Sequence, residues 1–216
     1  MNTDSNANPW ETGSDELERY ALEECIKRQR IDHRVSVMVI PAGRNELAGQ
    51  FAQLGAHVMV VDHPDRQQDI EGRILAAGQR DQISFLPGSV HALPPDIQGE
   101  PFDIIVIRRG LCSLPYEEAR KVVRQLLLKL RIGGKLYLSI LGLHSELGES
   151  YQDADKPVSQ RHAQLSSAIA GKYGLTQKVC LYSERDLFML LLEAGGSVLR
   201  TMTTTYGSVK GIAVRV

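Results

Sequence analysis

The chain has 216 residues, enough for one sizeable core, and nothing in its composition requires a second. Hydrophobic residues at 43% and charged residues at 24% are the balance of a folded globular protein, which excludes the disordered and fibrous classes. A formal net charge of −1 gives no reason to expect nucleic acid as a partner.

Residues 1–14 are polar, lack a basic-then-apolar targeting pattern, and read as a mobile arm. The single domain then runs over 15–216. Within an opening segment of 15–33, Leu17, Tyr20, Ala21 and Cys25 recur at helical spacing and predict an amphipathic helix from about 15 to 30. A strand at 35–40 leads into the turn Pro41-Ala42-Gly43-Arg44-Asn45. The next helix has Asn45 as its expected N-cap and Leu47, Ala48, Phe51 and Ala52 as its buried face, and Gly55 ends it. A second strand, 57–61, finishes on Asp62. The pattern of strand, glycine turn, helix and acid-ended strand is the opening βαβ unit of a nucleotide-binding fold.

Ile70, Ile74, Leu75 and Ala77 predict a crossover helix over 67–78, and 83–86 a short strand. Residues 90–99 read as a loop with at most one helical turn. The run FDIIVI at 102–107 has no alternation, as expected of a parallel strand covered on both faces. Ala119, Val122, Val123, Leu126, Leu127 and Leu130 form one helical stripe that Gly133-Gly134 is expected to stop, before a strand at 135–140. Residues 142–180 break the rhythm: they are polar at first, with a short helix expected around 160–170, and read as an insertion. Ser183 and Asp186 form a capping-box pattern ahead of a helix stopped at Gly195-Gly196, and 198–204 and 209–216 read as a terminal antiparallel hairpin.

Strands alternating with helices, then a hairpin, predict an α/β fold: a three-layer αβα sandwich around a mostly parallel sheet of seven strands. Ligands in such sheets bind beyond the carboxyl ends of the strands, so 41–45, 62–65, 87–91, 107–112 and 141–151 are the segments where chemistry is expected. Cys25, Cys112 and Cys180 are widely spaced and form no CxxC pair, which suits reduced thiols in a cytoplasmic protein. No apolar run is long enough to cross a membrane. P-loop, esterase and metal-ligand spacings are absent from the sequence.

At this point the chain resembles the class I S-adenosylmethionine-dependent methyltransferases, over about residues 35–216. The segment VMVIPAGRNELAGQFAQLGAHVMVVDHPD (37–65) lies without a gap on the family's first motif. ISFLPGSVHALP, FDIIVIRRGLCSLP, LLLKLRIGGKLYLSI and LLLEAGGSVLRT match its later landmarks in order. The turn departs from the pattern: Val39 stands where the family has an acid, and Pro41 and Asn45 stand where it has glycines, leaving Gly43.

The resemblance implies S-adenosylmethionine as cofactor and a small-molecule methyl acceptor, possibly anionic. It implies cofactor contacts from Ala42, Gly43, Arg44, Asn45, Asp62, His63, Ser89, Val90 and Arg108, with Asp62 taking the ribose hydroxyls. Arg109 and Cys112 fall on the acceptor side, and the insertion (142–180) becomes a lid carrying His144 and Tyr151 as candidate catalytic groups. Methyl transfer from a sulfonium proceeds largely by orientation, so an obvious base is not required. Three readings stay open: the methyltransferase; a non-catalytic domain of the same fold, serving as a binding or assembly module; and a nicotinamide-dependent enzyme, for which the G-x-G-x-x-G turn is missing. A homodimer or a protein partner is compatible with any of them.

Overall fold

The structure is a computed structural model that describes residues 16–30, 33–94, 97, 99 and 101–216; the expected arm at 1–14 and residue 15 lie outside the described residues. The helices are α1 (Glu16–Arg28), α2 (Glu46–Gln53), α3 (Gln67–Ala76), α4 (Tyr116–Lys129), α5 (Ser167–Tyr173) and α6 (Glu184–Glu193). The strands are β1 (Ser36–Ile40), β2 (His57–Asp62), β3 (Ile83–Pro87), β4 (Phe102–Arg108), β5 (Leu130–Ile140), β6 (Gly196–Thr203) and β7 (Val209–Arg215). They form one sheet in the order β3-β2-β1-β4-β5-β7-β6, in which β7 runs antiparallel to both of its neighbours. The remaining pairs are parallel.

Strand alternation divides the core in two. Val37, Val39, Val58, Val60, Ile104 and Val106 point to the face covered by α1, α2 and α3. Met38, Ile40, Met59, Val61, Ile105 and Ile107 point to the face covered by α4, α6 and the insertion. The central strands are therefore buried on both sides, which is why they read as continuous apolar runs. The chain winds outward from β1 to β3, returns to β4 and then winds the other way. The switch point therefore lies between β1 and β4.

Several elements match their expected positions closely. Leu17, Ala21 and Cys25 of α1 are buried, as are Leu47, Ala48, Phe51 and Ala52 of α2. The capping box is formed: the Ser183 hydroxyl accepts from Asp186 N at 3.1 Å, and Asp186 Oδ2 accepts from Ser183 N at 2.8 Å.

Four expectations need correction. Leu130 is not in the α4 stripe; it is extended, pairs with Phe102 and opens β5, because sheet pairing there outweighs helical periodicity. The helix thus ends before Gly133-Gly134. In α3 only Ile70 and Ile74 are buried, and Leu75 is 64% exposed, since α3 covers just the sheet edge. The helix expected around 160–170 is displaced to α5, after a single tight turn at Val158–Gln160. What stretches 161–166 is tertiary: the buried Arg161 guanidinium donates to Leu181 O, Lys156 O and Asp186, while Ala163 pairs with Val179. Finally, Asn45 precedes α2 but does not cap it with its side chain.

Candidate functional site

The carboxyl ends of β1, β2 and β4 meet three connecting segments. In the first, Ile40–Pro41 is a cis peptide and Ala42 N donates to Val61 O at 3.0 Å, tying the turn to the end of β2. Gly43 and Asn45 both lie in the left-handed region, at φ 61° and 64°. Glycine adopts this freely, and asparagine is among the side chains that tolerate it best. The Asn45 amide turns inward instead of capping α2: Nδ2 donates to Ile70 O at 3.3 Å, and the buried Oδ1 has no partner.

Asp62 is 8% exposed at the end of β2. Its Oδ1 accepts from His63 N at 2.8 Å, and Oδ2 accepts from Arg66 Nη1 at 3.0 Å. The other arm of that guanidinium, Nη2, donates to Gly43 O at 2.8 Å. One planar fork therefore spans from the β2 carboxylate to the β1 turn. Arg108 also lies close to the same glycine: a methyl group at Gly43 would come within 2.8 Å of Arg108 Nη2. Arg108 Nη1 is held by Glu18 of α1 at 3.0 Å. Gly43 is thus approached by two guanidinium groups, each paired with an acid from within the chain.

The other expected residues spread widely. Arg44 and His63 are exposed, and His63 Nδ1 lies 3.1 Å from Asp65. Ser89 is half-buried, and Val90 is buried against the backbone of Gly110, so the β3 and β4 exits touch. Arg109 has φ 60° and its N–H donates to Ser139 O at 2.8 Å. Cys112, expected on the acceptor side, is 2% exposed; Leu141 N donates to its thiol at 3.1 Å, and burial pushes its pKa up to about 12. That thiol is a core group with no surface for a substrate to touch.

Tyr151 is also interior. Its hydroxyl donates to Val179 O at 2.5 Å and accepts from Ala163 N at 3.1 Å, and burial raises its pKa to about 12. It fastens the insertion to itself and is poorly suited to proton transfer near neutral pH. His144 is exposed. The insertion also abuts the hairpin, where methyl groups at Gly142 and Gly207 would collide with Gly207 O and Ser145 Cα respectively.

Sequence reasoning missed Arg66, Glu18 and a second cluster. Ser113 Oγ lies 3.4 Å from His91 Nε2, and His162 Nε2 lies 3.1 Å from Ser113 O. These groups come from the β3 exit, the β4 exit and the insertion. Burial lowers the His91 pKa, favouring the neutral imidazole that can accept a proton. Arg66 sits four residues after Asp62, a spacing that predicts pairing once the intervening residues are known to turn. The histidine cluster has no signal in the linear sequence.

Solved structures with this architecture include a methyltransferase named CcbJ from Streptomyces caelestis, with a TM-score of 0.65 at 11% identity over 91% of this chain and 89% of that one. An O-methyltransferase family protein from Burkholderia thailandensis gives 0.64 at 16% identity, over 94% of this chain and 56% of that one. An S-adenosylmethionine-dependent methyltransferase from Methanosarcina mazei gives 0.63 at 19%, over 86% of this chain and 94% of that one.

This is the class I methyltransferase fold. The sheet order and the antiparallel β7 agree with that match. Against six structures of the fold the chain spans only 54–62% of the other chain's length. No protein-family model and no curated protein matches the sequence. Among the described residues no group of acidic, histidine and cysteine side chains could hold a metal ion, and no helix is long and apolar enough to cross a membrane.

Two features bear on whether a class I fold built from these residues accommodates S-adenosylmethionine. A carboxylate at the end of β2 has the acceptor chemistry a ribose diol needs, and Asp62 supplies it. At the β1 turn the fit is poorer: Pro41 has no N–H to offer, and Arg108 covers Gly43.

Proposed function

We propose that the chain is an S-adenosylmethionine-dependent methyltransferase acting on a small molecule, in a cytoplasmic setting suited to its three buried free thiols. One observation carries the reading: a nearly buried carboxylate, Asp62, stands at the end of β2 beside the switch point of a class I fold. The cofactor would supply an electrophilic methyl group. Asp62 would hold the ribose, while the backbone of 42–45 and the segment Ser89–Val90 would border the remainder.

Exposed Arg44 and half-buried Arg109 favour an acceptor bearing an anionic group. His91, with its lowered pKa and its contact to Ser113, is the best-placed group to receive an acceptor proton. His144, on the exposed rim of the insertion, remains a second candidate. Titration calorimetry with S-adenosylmethionine, S-adenosylhomocysteine and NADH tests the reading. Micromolar binding of the first two alone is expected, and Asp62→Ala should weaken it by ~1.5–3 kcal/mol through loss of charge-assisted hydrogen bonds.

A second reading, the non-catalytic module, is favoured by the two guanidinium groups around Gly43. It predicts no binding of any of the three compounds.

A further inference from the structure

The acceptor atoms expected to receive a nucleoside are already engaged. Arg66 takes Asp62 Oδ2 at 3.0 Å and Gly43 O at 2.8 Å, bridging the two segments that a cofactor would contact. Asp62 is only 8% exposed, and the guanidinium satisfies its Oδ2 while the His63 N–H satisfies Oδ1 independently.

Arg66 is also well placed to leave. Its side chain is 40% exposed, and its Nη2 already lies 3.7 Å from Oδ2 of Asp69, a half-exposed acid one helical turn further on. A rotation about the outer side-chain bonds would exchange Asp62 for Asp69 and keep the charge paired. Asp69 itself is steadied by Arg73 at 2.9 Å, so the receiving carboxylate is held in place.

We infer that Arg66 is an internal competitor for the nucleoside site. It holds Asp62 Oδ2 and the Gly43 carbonyl, must swing to Asp69 for a ribose-bearing ligand to take their place, and thereby sets the affinity of the crevice. This rests on the proposed cofactor reading and adds to it a residue that opposes binding. Its consequence is a pair of substitutions with opposite signs. Removing the competitor tightens binding, and removing the carboxylate that receives it weakens binding.

The test is calorimetric titration of S-adenosylhomocysteine into the full chain and its variants, with thermal melts to confirm folding. Arg66→Ala should bind about three- to tenfold more tightly than the parent chain, the scale of one part-exposed ion pair plus one carbonyl hydrogen bond. Arg66→Lys, which can reach only one of the two acceptors, should fall between them. Asp69→Asn should bind about two- to threefold more weakly. Adding Asp62→Asn to Arg66→Ala should abolish the gain, because the competition is for that carboxylate. A parent chain that binds, with Arg66→Ala no tighter, overturns the competitor and leaves the cofactor reading standing. Silence from parent and Arg66→Ala alike overturns both. An Asp69→Asn variant that binds as well as the parent overturns the exchange between the two acids.

Discussion

The two ends of the sheet are both lined with charge, yet they are built differently. At the amino end, Asp103 is 1% exposed and gathers Ser36 N at 2.9 Å, His33 at 3.2 Å and Arg28 at 3.5 Å. Arg131 joins it, with Nε 3.1 Å from Oδ1 but angled away from a good hydrogen bond. Glu24 of α1 adds Arg28 and Lys135, each at 2.6 Å. One network thus ties α1 to the starts of β1, β4 and β5, with every carboxylate serving several partners.

At the carboxyl end the ion pairs are separate: Asp62 with Arg66, and Glu18 with Arg108. Each joins different segments, and Arg66 has an alternative acid within reach. A shared, buried network resists rearrangement because moving one group disturbs the others, whereas a part-exposed arginine with a second acid in reach exchanges partners at little cost. The amino end therefore serves as the fixed end of the fold and the carboxyl end as the adaptable one.

That contrast breaks most visibly at Asp103. Asp103→Ala removes the shared acceptor of Arg28, Arg131, His33 and the Ser36 N–H, and should cost about 3 kcal/mol in urea denaturation, the lower end for a broken buried pair because the arginines are partly exposed and keep other partners. Next comes Tyr151→Phe, which removes both hydrogen bonds of the hydroxyl while Ala163 N still donates to Val179 O at 3.2 Å, and should cost ~1–1.5 kcal/mol. Faster amide exchange confined to 142–180 would mark the insertion as a separately held unit.

The pH dependence sharpens the amino end further. Burial alone would raise the Glu24 pKa, but its bonds to Lys135 and Arg28 outweigh burial and hold it below the ordinary 4.5. A depressed carboxylate contributes stability that is fully present above its unfolded pKa and lost as pH falls through the folded one. Stability should therefore drop below about pH 4.5, and Glu24→Gln should flatten that part of the curve. The smallest effect on stability belongs to the adaptable end: Arg66→Ala should change unfolding free energy by under about 1 kcal/mol. A loss as large as that of Asp103→Ala would mean the two ends are alike.

The legibility of the chain divides along the same physical line. Where periodicity and burial act together, the sequence sufficed. The runs at β1, β2 and β4, the faces of α1 and α2, and the capping box at Ser183 all follow from local spacing. Asp62 could be singled out because its place after an apolar strand is itself a pattern. Segments shaped by distant partners were misread: 160–170 as a helix, though Arg161 reaches Leu181 and Asp186, and Leu130 as helical, though it pairs with Phe102.

By itself, then, the sequence determined the order of elements, the αβα layering and the strand ends at which Asp62 and the 41–45 turn stand. Hydrophobic spacing is a local property, and parallel strands with crossover helices leave few ways to arrange it. Only the tertiary structure decided what occupies that edge. The Arg66 bridge from Asp62 to Gly43, the approach of Arg108 to the same glycine, the withdrawal of Cys112 and Tyr151 into the core, and the meeting of His91, Ser113 and His162 all join segments distant in sequence. Long, flexible charged side chains have no periodic signature; their partners are set by whichever opposite charges folding brings within reach.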